Sequence, residues 1–192
     1  AESGRRVLVA GVGNIFLGDD GFGVEVVNRL GQSALPGVDV ADYGIRGVHL
    51  AYDLLEGDYD TLVLVDSLPV RDRPGTLTVL DASPEHVPAA SAVGEAGAVA
   101  SGTARGGAAL DGPSPSVDGH SMSPATVLAI LRQLGGLVER VLVVGCQPAT
   151  VAEGVGLSEP VRAAVDDAAR LVDEVVRAEV ARPVAGDGAD PT

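Results

Sequence analysis

Four side chains stand where segments that read as buried strands give way to loops or helices, and they are this chain's first candidates for chemistry. Asp20 lies in the run Gly11-Val12-Gly13-Asn14-Ile15-Phe16-Leu17-Gly18-Asp19-Asp20-Gly21-Phe22-Gly23 after the first strand. Asp42 follows the second strand and Asp66 the third, while His120 sits just ahead of the helix leading to the last strand. In open α/β sheets, ligands bind beyond the carboxyl ends of the strands. Asp20, Asp66 and His120 could give a divalent transition metal two carboxylates and one imidazole, leaving coordination positions for another partner. Each has a plainer reading as well. Asp66 could cap the turn after its strand, and His120 could be a solvent-facing residue beside a helix start.

Other arrangements are weaker. Gly11-Val12-Gly13 suggests a dinucleotide-binding turn, but Phe16 stands where the third glycine should allow close helix packing. Asp19 and Asp20 would also place negative charge where a pyrophosphate sits. Asp19 reads as an organiser of its loop, because adjacent residues rarely point the same way. Cys146 is the only cysteine, so it forms no internal disulfide or thiolate cluster, and it reads as a small buried hydrophobe. His49 falls in a helical stretch as a partly buried packing residue, and His86 in an exposed, proline-flanked one. No Gly-x-Ser-x-Gly elbow is present.

The elements that must hold these residues are legible as an α/β pattern. Val7–Ala10, Thr61–Val65 and Arg140–Val144 are continuous apolar runs, as expected of strands covered on both faces of a parallel sheet. Val38–Ala41 is a weaker strand. Helices are expected from Val24, Val27 and Leu30, from Leu50, Leu54 and Leu55 over 47–56, and from Val127 to Leu134 after a Ser123-Pro124 start. The clearest runs from Val161 to Val176 with a period near 3.6. Only nine residues separate Asp66 from Thr76. A parallel crossover needs about a dozen, so Thr76–Leu80 is expected to be antiparallel and at an edge. The fold class is therefore a three-layer α/β/α domain over residues 5–181, with a mostly parallel sheet of about five strands. The small and polar residues of 89–118 point to a flexible insert, and 182–192 to a disordered tail.

Bulk composition narrows the partners. Twenty-seven acids face thirteen bases, all arginine, for a net charge of −14. That disfavours nucleic acid and anionic membranes, and the simplest meaning is a solvated acidic surface. No apolar run approaches the roughly 20 residues of a membrane span, and no apolar leader precedes the first strand. A cytoplasmic protein is the expectation.

The glycine- and aspartate-rich run resembles the N-terminal signature of the NiFe-hydrogenase maturation endopeptidases. The resemblance continues at Leu62-Val63-Leu64-Val65-Asp66, at Gly119-His120 and at Val143-Val144-Gly145-Cys146-Gln147-Pro148, covering residues 5 to 180. It implies that Asp20, Asp66 and His120 ligate nickel that arrives in the substrate, so the enzyme need not hold a metal of its own. It also implies the reaction: removal of a short C-terminal extension from the nickel-loaded hydrogenase large-subunit precursor, by an enzyme expected to be monomeric. Asp42 then becomes the candidate catalytic carboxylate. The pattern departs at Asp20, where many members carry glutamate, and at Tyr43 and Ile45, which are bulkier than the glycine and threonine common in the family's Asp-Gly-Gly-Thr-x-Gly loop. Two rival functions fit the same frame: a nickel carrier without hydrolytic activity, and a nucleotide-dependent α/β enzyme.

Overall fold

The computed structural model describes residues 5–33, 35–84 and 124–183. Strand β1 (Val7–Val12) leads through a 3-10 turn (Gly18–Gly21) into α1 (Phe22–Leu30). Then follow β2 (Val38–Gly44), α2 (Gly47–Glu56), β3 (Thr61–Ser67) and β4 (Leu77–Asp81). After a segment outside the described residues come α3 (Pro124–Gln133), β5 (Arg140–Cys146) and α4 (Glu159–Val180). The five strands are ordered β2-β1-β3-β5-β4. All neighbours are parallel except β4, which runs antiparallel to β5 at the edge, as the short connection requires.

The continuous Val and Leu runs become strands because both faces are covered. Val7, Val9, Val63, Val65 and Val144 point to one side, where Phe22 and Val26 of α1 and Val161, Ala168 and Val172 of α4 close over them. Leu8, Ala10, Leu62, Leu64 and Val143 point to the other, against Leu50 and Leu54 of α2 and Val127 and Leu131 of α3. Alternate residues of one strand thus feed two separate cores, which is the physical meaning of a hydrophobic run without alternation. Two sequence expectations shift. Leu55 stays 37% exposed, and His49 is exposed rather than packed. Strand β2 also extends three residues beyond its apolar core and carries Asp42 within it.

The expected Ser123 cap, the 89–118 insert, most of the 182–192 tail, His86 and His120 lie outside the described residues. Among the described residues no helix is long and apolar enough to cross a membrane.

Candidate functional site at the carboxyl edge of the sheet

Helix α1 reaches the strand ends because glycines remove the side chains that would hold it off. A Cβ on Gly23 would lie 2.0 Å from the Val65 carbonyl oxygen and 2.4 Å from that of Val12. On Gly11 it would meet Val27 at 2.4 Å and the Gly23 carbonyl oxygen at 2.5 Å. The close helix–strand contact of a dinucleotide fold is therefore present, but Gly23 supplies it, seven residues after Phe16. The intervening residues form a longer loop. Gly13, at φ +126°, backs onto Asp20, whose carbonyl oxygen would sit 1.8 Å from a Cβ there.

That loop delivers Asp20 to the strand ends. Its Oδ2 accepts the Asn14 amide at 2.7 Å, and its Oδ1 weakly accepts the Ser67 hydroxyl at 3.4 Å. The amide that a phosphate would need is thus already bonded to a carboxylate. Asp66, next to last in β3 and 9% exposed, accepts the Ser67 amide at 2.8 Å. Burial raises its pKa, the neighbouring Asp20 charge adds to this and the Ser67 amide opposes it, leaving Asp66 at about 8. Two carboxyls drawn together with little solvent form an arrangement that a cation relieves. Among the described residues no three His, Cys, Asp or Glu side chains converge to hold a metal. Two of the three expected ligands, Asp20 and Asp66, are brought together, and His120 lies outside the described residues. The turn at Gly136 packs against Leu131 of α3 and Leu55 near the end of α2. The two helices therefore run side by side, and the start of α3 faces the carboxyl edge of the sheet.

Asp19 does something different from its neighbour. Fully buried, it accepts the amides of Ala149, Thr150 and Ser158 and the Ser158 hydroxyl, at 2.7 to 3.0 Å. Burial would raise its pKa, yet these hydrogen bonds outweigh burial and hold it below the usual carboxylate range. The side chain thereby straps the loop after β5 onto the 3-10 turn and fixes the ground on which Asp20 stands. Asp19→Ala should cost about 3 kcal/mol or more, since charge-assisted hydrogen bonds contribute about 1.5–3 kcal/mol each. Urea titration would measure the loss. Hydrogen exchange should show the amides of Ala149, Thr150 and Ser158 losing protection, and unchanged protection would refute the strap.

Asp42 stands apart from this pair. It is exposed, and its carboxylate accepts no hydrogen bond among the described residues. Asp42 and Val65 both pair with Gly11, on opposite sides of β1. Two strand spacings, about 10 Å, thus separate the Asp42 backbone from that of β3 beside Asp66. The β1–β2 register slips between Gly11 and Val12, so that Tyr43 is passed over. Such a bulge re-aims side chains. Tyr43 turns inward, buried, with its hydroxyl donating to Asp53 at 2.7 Å, while Gly44 takes a left-handed φ of +52° and accepts the Gly13 amide at 3.0 Å. The bulky Tyr43 therefore fills core rather than crowding the loop, and Ile45 is the residue left outside.

Cys146 is fully buried opposite Ser67. Burial, reinforced by the Asp19 charge, pushes its thiol up to about 11, which removes it as a nucleophile. Sequence reasoning missed the second anchor of the Asp19 strap. Its signal was Ser158-Glu159-Pro160, a helix start whose serine makes no cap bond to α4 and serves Asp19 instead.

Fold and site together define a three-layer α/β protein with a paired-carboxylate centre where β1 and β3 end. A family model described as hydrogenase maturation protease (HycI) matches residues 112–175. Hydrogenase 2 maturation protease of Escherichia coli is 29% identical over 175 residues, 90% of this chain and 91% of that protein. The crystal structure of a hydrogenase 2 maturation peptidase from a Thaumarchaeota archaeon is 30% identical, covering 90% of this chain and 98% of that one, with a TM-score of 0.59. The hydrogenase maturating endopeptidase HybD from E. coli is 26% identical, covering 90% and 93%, at a TM-score of 0.63. This chain belongs to the hydrogenase maturation protease family, and it is accordingly a hydrolase, an endopeptidase.

Proposed function

We propose that this endopeptidase removes the C-terminal extension of a nickel-loaded NiFe-hydrogenase large-subunit precursor, acting in the cytoplasm as a monomer and reading the nickel through Asp20, Asp66 and His120. The observation that carries the reading is the pairing of a buried, proton-holding Asp66 with Asp20 at the carboxyl edge of the sheet. Such a pair is poorly satisfied alone and well satisfied by a cation that arrives with the substrate. His120, carried over from the family resemblance, is proposed as the third ligand. Three protein ligands leave positions for groups of the precursor itself.

In this role the metal is part of the substrate, and the protein's task is positioning. Asp20 is fixed by the Asn14 amide and Asp66 by the end of β3. With the nickel held there, the precursor's chain continues toward β2. About 10 Å separates the two carboxyl sites along the sheet edge, a span that three residues of extended chain cover. At its end stands Asp42, an exposed carboxylate free to take a proton from the attacking water or deliver one to the leaving amine.

Purified enzyme should shorten the nickel-loaded precursor on a gel and leave the nickel-free precursor intact. His120→Ala should keep its circular dichroism and lose processing. Equal cleavage of both precursor forms would end the metal-reading proposal, and wild-type turnover by the histidine variant would remove that residue from the site. A carrier without hydrolytic activity would bind nickel and yield no shortened subunit.

A further inference from the structure

We propose that the open groove between the Gly13–Phe16 loop and the Asp42–Arg46 loop is a subsite for an aliphatic side chain of the precursor's extended C-terminal segment, with Phe16 and Ile45 selecting it. The inference rests on the protease reading above. The groove holds about 310 Å³ and is lined chiefly by Ile15, Phe16, Val24 and Ile45, with Asp42 and Arg46 at its rim. Ile15, Phe16 and Ile45 are 42%, 64% and 48% exposed. The chain has two phenylalanines, and while Phe22 is wholly buried, Phe16 is held out in a loop at the site. Contiguous apolar surface of this kind marks a place where something binds.

Exposure here does not come from a loose loop. The Phe16 amide donates to the Asn14 side chain at 3.0 Å, and the Phe16 carbonyl accepts the Gly154 amide at 2.9 Å. The Asn14 amide is tied to Asp20, so the groove wall and the carboxylate centre are one connected structure. The opposite wall is joined to it by the Gly13 amide on the Gly44 carbonyl, and the Arg46 guanidinium is tied to the Tyr43 and Asp42 carbonyls. Both walls are set before any ligand arrives, which lowers the ordering cost of binding.

The occupant follows from the lining. A volume of 310 Å³ lies at the lower end of the ~300–1,000 Å³ range of small-molecule sites. It has room for an aliphatic side chain together with the extended backbone that carries it, and not for a large ligand. The one cation, Arg46, already serves two carbonyls, and Asp42 would repel an acidic group. The groove also ends at Asp42, the carboxylate assigned above to the bond that is cut. A segment must be extended to present a peptide bond there, so the side chain seated in the groove belongs to the precursor's tail and not to its folded body.

The test uses purified enzyme and purified nickel-loaded precursor. Phe16→Ser and Ile45→Ser should each raise KM about tenfold, the scale of a lost apolar contact in a specificity pocket, with kcat within about twofold. Val155→Ser, which removes an exposed apolar side chain from the neighbouring loop at a residue 80% exposed, should change neither. A photo-crosslinking benzoylphenylalanine at position 16 should attach, by peptide mapping, to the precursor's C-terminal tail. Crosslinks confined to the folded body, or serine variants with wild-type KM, would overturn the subsite while leaving nickel-dependent cleavage intact. A wild-type enzyme that cuts no nickel-loaded precursor would instead sink the protease reading, and the subsite with it.

Discussion

Asp66→Asn should fold, lose at least about a hundredfold in processing of nickel-loaded precursor, and stand up to rising pH better than the parent. The loss of activity follows from removing one of two carboxylates at the strand ends. Under the proposed nickel ligation by Asp66, the loss should exceed the roughly 10–100-fold that disturbing the groups behind a metal ligand costs. The pH effect follows from burial. Asp66 is held at about 8, whereas a free aspartyl side chain ionises near 3.8. Between those values the folded protein keeps a proton that the unfolded chain has released. Unfolding then sheds protons, so stability is fully present below about pH 4, falls as pH rises, and levels off above about pH 8. The slope cannot exceed about 1.4 kcal/mol per pH unit for one group. Urea titrations of metal-free protein at a series of pH values should show this decline, and the asparagine variant should flatten it. A parent slope that matches the variant's would refute the buried proton. If Asp66 ligates nickel as proposed, binding would displace the same proton, and affinity should rise with pH up to about 8.

The second large effect concerns no polar group at all. Gly23→Ala should cost at least about 3 kcal/mol, at the upper end of overpacking penalties. The new Cβ would lie 2.0 Å and 2.4 Å from two strand carbonyl oxygens, and backbone at a sheet centre cannot step aside. Relief requires α1 to move away from β1 and β3. That motion would carry the 3-10 turn and Asp20 away from Asp66, so processing should fall further than the residual folded population explains. The urea midpoint and the specific activity of the folded fraction would check both parts. A variant with wild-type stability would show that the helix and strands do not approach so closely.

Much of this was open to reading without coordinates. Thr61–Val65 and Val7–Ala10 announce strands covered on both sides, because burial on two faces leaves no polar alternation. The short link from Asp66 to Thr76 forces β4 to turn back. Asp20 and Asp66 could be picked out because strand ends in a parallel sheet share one edge. Less could be read where the outcome depends on a local irregularity. Leu55 has the spacing of a core residue, yet it stays 37% exposed beside the turn that follows α3. Tyr43 is bulkier than the glycine of the family's loop, and a single register slip turns it into the core.

Chain chemistry by itself therefore determined the layers, the strand directions and the identity of the two carboxylates, since hydrophobic period and connection length act over a few residues and survive without knowledge of neighbours. Tertiary structure alone decided that Asp66 keeps a proton, that Asp19 binds a distant loop while Asp20 faces the strand ends, and that Ile15, Phe16 and Ile45 form one groove. Those outcomes depend on what lies across space from each residue: how much water is excluded, which amides arrive from another segment, and which backbone comes within van der Waals distance.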